Sequence, residues 1–277
     1  MKIWRRTTIS SEAAEHWRTR GLKVFPFKTP GSDVISRYQF EIEESDPLWP
    51  ALKAFLNGDH TIIRTMFTDK ERLNAEWCII WDNHSIVSYR VPQDNAWSEE
   101  YFTESCEKCG VGWKQIAPFR LKAEPKLGKN QFCGFGGGFE LFCTPVVLEE
   151  FARHGINGFE IWPLLLKKKG DEQAASLKQI IVEEMAEPAI AEELVERERY
   201  SQTDCPFCGQ TWHAHYVRGM LPLRKAALKP DLDFQLTNEW FGNSSSARHE
   251  ILVSQRVVRL ILENKWKGAE LIPIQAV

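Results

Sequence analysis

The sequence predicts an α+β fold in which a mixed N-terminal region precedes two similar strand-helix-strand units. The chain has 277 residues, of which 43% are hydrophobic, enough for a large buried core. Short helical and extended patterns alternate over the first hundred residues, and a Cys-x-x-Cys-Gly motif occurs twice in the remainder. We therefore expect residues 1–100 to form one region and residues 101–277 a second one, with an internal duplication covering 101–170 and 200–277.

Apolar residues at helical spacing predict three short helices in the N-terminal region. The first is expected over Ser11–Arg20, with Ser10 or Ser11 as its N-cap. The second is expected over Asp46–Asn57, and the third directly after Asp69.

Two extended segments close the N-terminal region. Trp77–Trp81 is a short apolar run ended by two polar residues, a pattern typical of a buried strand or of the end of a helix. Ser85–Val91 alternates apolar and polar residues well enough to predict a strand.

The duplication is visible when the chain is compared with itself at an offset of 110 residues. Segment 144–163 then matches segment 254–273: a Thr or Ser N-cap, a helix with apolar residues at the same positions, a Gly, and a short apolar strand. Phe139–Phe142 and Glu250–Val253 are the strands expected to lead into these helices. The matched pairs include Val147 with Val257, expected to be buried, Gly158 with Gly268, and Glu160 with Glu270, expected on corresponding strands.

An acidic segment lies between the two copies, from residue 171 to residue 199. It holds nine acidic residues against three basic ones. Ala189–Arg199 is predicted to be a helix. Leu177–Met185 is ambiguous, because Ile180-Ile181-Val182 favours a strand whereas the surrounding Ala, Glu and Gln favour a helix.

The two Cys-x-x-Cys-Gly knuckles are the strongest chemical signal. A tetrahedral Zn²⁺ site takes four thiolates, and each knuckle presents two from one tight turn whose Gly supplies the backbone freedom. We therefore expect one structural zinc ion shared by Cys106, Cys109, Cys205 and Cys208. A closed four-thiolate shell leaves no coordination position for catalysis. Reduced free thiols and two independent redox pairs are the alternatives.

Other reactive residues favour structural roles. Cys78, Cys133 and Cys143 are not spaced as metal ligands and are expected to be buried small hydrophobes. His213 and His215 are expected on a solvated edge strand rather than in a second metal site, because no third ligand is apparent.

Charge and hydropathy bear on the partners. The net charge is −3, which provides no overall attraction to nucleic acid, so nucleic acid is a disfavoured partner. No apolar stretch approaches the roughly 20 residues that cross a bilayer, and the N-terminus lacks the apolar region of a secretory signal. Cysteine pairs in such a chain indicate metal binding in a reducing compartment, so we expect a cytoplasmic protein without a membrane partner.

The paired motifs and the Ser/Thr-capped helix with its Gly-x-Glu-x-x-Pro ending resemble the double-CxxCG motif family, paralogous proteins of myxobacteria. Some members of that family act as immunity proteins against toxins exchanged between neighbouring cells. The resemblance covers roughly residues 100–277, and it implies a toxin-binding protein in which the four knuckle cysteines are ligands and no catalytic residue is carried over. The chain departs from the family by its hundred residues before the first knuckle.

The function expected from these features is a cytoplasmic immunity protein that binds and neutralises a cognate toxin. A zinc-ribbon adaptor that binds nucleic acid and an enzyme with an unrecognised site are the alternatives. An acidic face would steer a toxin that has a cationic groove. The candidate contacts are Glu183, Glu184, Glu192, Glu193 and Glu196, and the competing interpretation is a solvated helix face.

Overall fold

The computed structural model confirms the α+β class, with helices interleaved among strands. It describes residues 1–28, 35–57, 61–90, 100–103, 105–136, 140–167, 172–182, 187–196 and 200–277. The chain forms two compact units: Met1–Thr68 with Val217–Gly219, and Asp69–Tyr216 with Met220–Val277. None of the helices in these described ranges is both long and apolar enough to cross a membrane.

The first unit is a four-stranded antiparallel sheet with two helices. Its strand order is β2-β3-β1-β4, and the β-α-β-β-α-β sequence of elements makes it a split β-α-β arrangement. Both helices bury apolar side chains against one face of the sheet, where Trp17 of α1 and Leu52 of α2 share a core with Phe40 of the sheet. The elements are β1 (Lys2–Ile9), α1 (Ser11–Arg18), β2 (Val24–Lys28), β3 (Ile35–Glu43), α2 (Trp49–Phe55) and β4 (Ile62–Met66).

The helix predictions for this unit are confirmed. Helix α1 begins where predicted, and the hydroxyl oxygen of Ser10 accepts a hydrogen bond from the Ala13 N–H, as an N-cap does. Helix α2 lies within the predicted range. The helix expected after Asp69 is α3 (Asp69–Asn74), which belongs to the second unit and leads into β5 (Trp77–Asp82), a buried strand.

The strand predicted over Ser85–Val91 is wrong. Val87–Tyr89 forms one turn of 3₁₀-helix, and Val91 lies outside the described residues. Ile86 is the reason, because its side chain is buried in an aromatic cluster while its N–H donates to the Gly134 carbonyl. Ile86 is therefore buried without being part of a strand.

The remaining elements all belong to the second unit. They are β6 (Arg120–Leu121), β7 (Phe132–Cys133), β8 (Leu141–Cys143), α4 (Pro145–Arg153), β9 (Phe159–Leu166), β10 (Gln173–Val182), β11 (Gln202–Asp204), β12 (Thr211–His213), β13 (Pro222–Leu223), β14 (Phe234–Leu236), β15 (Trp240–Phe241), β16 (Ile251–Ser254), α5 (Gln255–Glu263), β17 (Ala269–Pro273) and β18 (Gln275–Ala276).

The acidic segment does not form the predicted helix. The ambiguous part is a strand, β10, as far as Val182, and the part expected to be a helix has a single 3₁₀ turn at Glu192–Leu194. Residues 183–185 and 197–199 lie outside the described ranges. Ala189 and Ile190 are buried in extended form, and both backbone N–H groups donate to the Glu239 carboxylate. Burial against the rest of the unit therefore outweighs helix propensity here.

The two predicted strand-helix-strand units have the same strand order and register. The two sheets run β6-β9-β10-β8-β7 and β14-β16-β5-β17, so β8-α4-β9 corresponds to β16-α5-β17. In each sheet a third strand lies between the two matched ones and is antiparallel to both. Strand β10 follows its own repeat, whereas β5 precedes both repeats in the chain. The matched rows are Cys143–Lys178–Pro163 and Val253–Cys78–Pro273.

One hydrophobic core joins the two repeats. Val147 of α4 and Val257 of α5 are both fully buried in it, as predicted. Aromatic rings from both repeats meet there, with ring centroids of Phe151 and Phe234 5.7 Å apart and those of Phe132 and Trp266 6.1 Å apart. Neither repeat encloses this core alone, so each depends on the other for its folding.

The two repeats are interlocked at a matched pair of glycines. Gly158 and Gly268 both have positive φ, +89° and +91°. A Cβ atom on Gly158 would collide with the Phe234 carbonyl, and one on Gly268 would collide with the Phe132 carbonyl, each in the opposite repeat. The duplicated Gly is therefore required both by the backbone angle and by the close approach of another chain segment.

Gly268→Ala is expected to lower the free energy of unfolding by about 3 kcal/mol or more, because the new methyl group must displace the Phe132 backbone. Gly155→Ala is the matched control: Gly155 also has positive φ, but its Cβ would meet no atom within 4 Å. The control is expected to cost about 1–2 kcal/mol from backbone strain alone. Urea denaturation measures both, and equal losses would contradict the interlocking.

Candidate metal centre

The four knuckle cysteines converge in the second unit. The sulfur atoms of Cys106, Cys109, Cys205 and Cys208 all lie within 4.8 Å of one another. Cys109 and Cys208, from different knuckles, have their sulfurs 3.8 Å apart. This cluster can hold a metal ion, and within the described ranges it is the one group of three or more His, Cys, Asp or Glu side chains placed to do so.

The two knuckles have the same backbone geometry. The Cys106 carbonyl accepts from the Gly110 N–H at 2.7 Å, and the Cys205 carbonyl accepts from the Gly209 N–H at 2.9 Å. The two glycines have nearly equal φ angles, +73° and +74°. This tight turn brings the two cysteine side chains of each knuckle to the same side, which is why the motif requires Gly after its second Cys.

Second-repeat residues position the first knuckle. Ser244 donates its hydroxyl hydrogen to the Cys109 carbonyl at 2.7 Å, and a Cβ on Gly110 would collide with Ser245. A small apolar cluster that includes Val111 and Ala247 packs beside the sulfurs. The second knuckle is held at the end of the β11–β12 hairpin. The cluster is therefore built by both repeats.

The sulfur environment favours the thiolate at the first cysteine of each knuckle. Backbone N–H groups of Cys109 and Lys108 lower the pKa of the Cys106 thiol to about 6. The matching N–H groups of the second knuckle, led by that of Cys208, lower the pKa of the Cys205 thiol. Burial raises the pKa of Cys109 to about 12. A bound cation would neutralise the thiolate charge and displace the proton that Cys109 retains.

The donor set selects the kind of metal. Four sulfur ligands suit zinc, copper(I) or iron and do not suit magnesium or calcium, which take oxygen ligands. Four thiolates complete a tetrahedral shell, so a metal held here has no position left for a substrate. A zinc ion would therefore fit this set as a cross-link between the knuckles.

The other three cysteines lie in the core, as predicted. Cys78, Cys133 and Cys143 are buried, and burial raises the pKa of each thiol, that of Cys78 and of Cys133 to about 12. Thiols held neutral in apolar surroundings are poor nucleophiles and poor ligands.

The solvated edge strand expected for the two histidines is wrong. His213 is buried, and its Nδ1 lies 2.6 Å from the Tyr200 hydroxyl. His215 is half-buried, with its Nδ1 3.3 Å from a Glu250 carboxylate oxygen. Both rings therefore take part in the interior hydrogen-bond network of the second unit.

The acidic contact candidates are placed only in part. Glu183 and Glu184 lie outside the described residues. Glu193 is exposed and forms an ion pair with Arg224 at 3.0 Å, Glu192 is half-buried with a carboxylate oxygen 3.9 Å from His213, and Glu196 is exposed. Glu192 and Glu193 lie in a 3₁₀ turn and Glu196 follows it, so the three described carboxylates do not line one face of a helix.

Sequence reasoning missed a pair of buried carboxylates, Glu140 and Glu250. They are separated by the same 110 residues as the matched segments, so the repeat itself was the signal that could have found them. Glu250 interacts with the Trp81 indole, His215 and Arg248, which lower its pKa although burial opposes this. Burial dominates at Glu140 and raises its pKa to about 7.

Comparison with known proteins found no family model and no curated protein that matches this chain.

The pH dependence of stability is expected to differ at these matched positions. The folded chain holds the Glu140 proton up to about pH 7, whereas an unfolded Glu loses it near pH 4.5. The folded state therefore binds more protons in this window, and Glu140 lowers stability by about 3 kcal/mol in all as pH rises through it. Relative to the wild type, Glu140→Gln is expected to become progressively more stable between pH 4.5 and 7.

Glu250→Gln is the matched control, with the opposite sign. The lowered pKa of Glu250 means that its carboxylate stabilises the folded state above the unfolded pKa and loses that effect as pH falls. Urea denaturation of the wild type and both variants from pH 4 to pH 8 measures the two differences. A wild-type-to-Glu140→Gln difference that does not change with pH would contradict this assignment.

Proposed function

We propose that the four thiolates hold one structural Zn²⁺ and that the chain is a cytoplasmic immunity protein that binds and neutralises a cognate bacterial toxin. The convergence of two distant knuckles into one cluster of four sulfurs is the observation that carries the zinc proposal. The toxin-binding proposal takes its support from the paired-CxxCG resemblance and from a metal shell that, once closed, offers nothing to a substrate.

Zinc is the proposed metal because it has no redox chemistry and binds four thiolates tetrahedrally. When bound it would supply a cross-link between two knuckles that 95 residues separate in the chain. The cytoplasm is proposed because its reducing conditions keep such thiols from forming disulfides. In this proposal the protein acts by binding rather than by catalysis.

A nucleic-acid adaptor is the second candidate, and the tip of the second knuckle favours it. Phe207 is 66% exposed, and the Lys108 ammonium nitrogen lies 5.9 Å from the centre of its ring. An exposed ring beside a cation is the arrangement on which bases stack. Phe207→Ala would weaken single-stranded nucleic-acid binding in that case and would leave zinc content unchanged.

Metal analysis of the purified protein is expected to give one zinc per chain. Cys205→Ser leaves three thiolates, so zinc content is expected to fall well below one, and the melting temperature is expected to fall by several degrees because metal binding contributes to folding.

Cys143→Ala is the control for that experiment. It removes a buried thiol outside the cluster, so it is expected to lower the melting temperature while it leaves the zinc content at one. Wild-type protein without zinc, or Cys205→Ser with undiminished zinc, would overturn the shared site.

For the toxin partner, the triple variant Glu192→Lys, Glu193→Lys, Glu196→Lys is expected to slow association by about tenfold or more at low salt. The candidate toxin is the product of a neighbouring gene, provided that its expression alone kills cells and that co-expression of this chain prevents the killing. Surface plasmon resonance at low and moderate salt measures the association rate.

Glu149→Lys and Glu263→Lys, outside the acidic segment, form the control for charge reversal in the same unit. If the segment contributes to the interface, the control associates at close to the wild-type rate. An association rate that the triple variant leaves unchanged at both salt concentrations would remove these three residues from the interface.

A further inference from the structure

A cavity of about 430 Å³ opens where the two repeats of the second unit meet. Residues after the first knuckle form one wall, the first half of β9 and the second half of β10 form another, and the segment from β14 to β16 forms the third. Three tryptophans line it. Its lining includes Trp113, Trp162, Trp240, Lys114, Glu160 and Gln179.

The matched face of the second repeat is apolar. There Ile79 and Ile272 lie in a hydrophobic cluster whose other members include Ile190, Leu221 and Phe241. The corresponding positions in the first repeat are Gln179 and Trp162, by the register of the two sheets. The polar residue Gln179 thus stands where the second repeat has the core residue Ile79.

Side-chain contacts hold the walls of the cavity, which contain both polar and aromatic groups. The buried Gln179 amide and the Gln115 amide donate to each other, at 2.7 and 3.1 Å. The rings of Trp113 and Trp240 meet edge to face with centroids 6.1 Å apart. Fixed indole edges and faces suit a further aromatic or large aliphatic group.

The cavity adjoins an open strand edge. Strand β6 pairs with β9 only at Leu165 and Leu166, and among the described residues Phe159–Pro163 pairs with β10 alone. On its other side this stretch presents backbone groups that an added strand can pair with. Ile161, on the opposite face from the cavity, is 51% exposed.

The lining has three charged side chains, those of Lys114, Glu160 and Arg248. Glu160 and Lys114, both exposed, are of opposite sign, and the Arg248 guanidinium lies near the buried Glu250 carboxylate and over the Trp81 ring. The three tryptophans offer a charged side chain little to replace its hydration, so the cavity favours an uncharged, largely apolar side chain.

We infer that an extended segment of a partner protein adds to the open edge of β9 at Phe159–Pro163 and inserts an aromatic or large aliphatic side chain into the tryptophan-lined cavity. Backbone pairing along the edge supplies affinity, and the cavity selects the side chain. The inference rests on the proposed function only for the identity of the partner, which would be the toxin. The acidic segment would then steer the encounter that this anchor completes.

A random heptapeptide phage library displayed against the full-length protein tests the inference without any toxin. Enriched peptides are expected to carry Phe, Trp, Tyr, Leu or Ile at a shared position. Trp162→Ala is expected to weaken their binding by about tenfold or more, as loss of an interface anchor does. Trp162→Phe keeps a ring and is expected to retain most of the affinity. Val146→Ser, at an exposed position on α4 outside the cavity, is expected to bind as the wild type does.

Backbone pairing has its own test. N-methylation of alternate amides in an enriched peptide is expected to abolish binding. The bound peptide is expected to slow hydrogen exchange within residues 159–162, since Pro163 has no amide hydrogen. Failure to enrich peptides, or equal binding by a folded Trp162→Ala variant, would overturn the inference. If this chain still neutralised a toxin, the proposed function would stand while the inference failed.

Discussion

Four thiol groups from two knuckles must meet within 4.8 Å, and most of the second unit is arranged around that requirement. The knuckles are 95 residues apart in the chain, so the first repeat and the acidic segment lie inside the loop that the cluster closes. Closing a loop of this length in the unfolded chain is costly, and a cross-link of about a hundred residues recovers about 4–5 kcal/mol in the chain-entropy description. A bound metal would stabilise the folded chain in this way. Hydrophobic contact between the knuckles alone would not form such a cross-link.

The repeats are held together by more than the cysteines. Each sheet needs a middle strand, and the second repeat takes its middle strand, β5, from a segment that precedes both repeats. Each repeat also brings a glycine against the backbone of the other, at Gly158 and Gly268. Separate expression of either repeat would therefore remove a strand, half of the shared core and two of the four cysteines. The duplication produced one folded body rather than two independent modules.

Local signals predicted the local structure. The N-cap at Ser10, the apolar spacing of α4 and α5, and the repeated Cys-x-x-Cys-Gly motifs act within a few residues of themselves, so the sequence reveals them directly. The sheet that β5 joins could not be predicted, because the apolar run Trp77–Trp81 indicates that the strand is buried but not which strands it pairs with. The helix prediction for Ala189–Arg199 failed for a related reason. Ala189 and Ile190 are buried and donate hydrogen bonds to Glu239, and these long-range interactions outweigh helix propensity. The cavity depends on the positions of three distant tryptophans, and no local pattern contains that information.

All four cysteines are proposed to bind one metal ion. The most direct test of this proposal is X-ray absorption at the zinc edge of the purified wild-type protein. A first shell of four sulfur atoms at about 2.3 Å is the expected result. A first shell that contains nitrogen or oxygen atoms in place of any of the four sulfurs would contradict it, because the four cysteines would then not form one closed metal site.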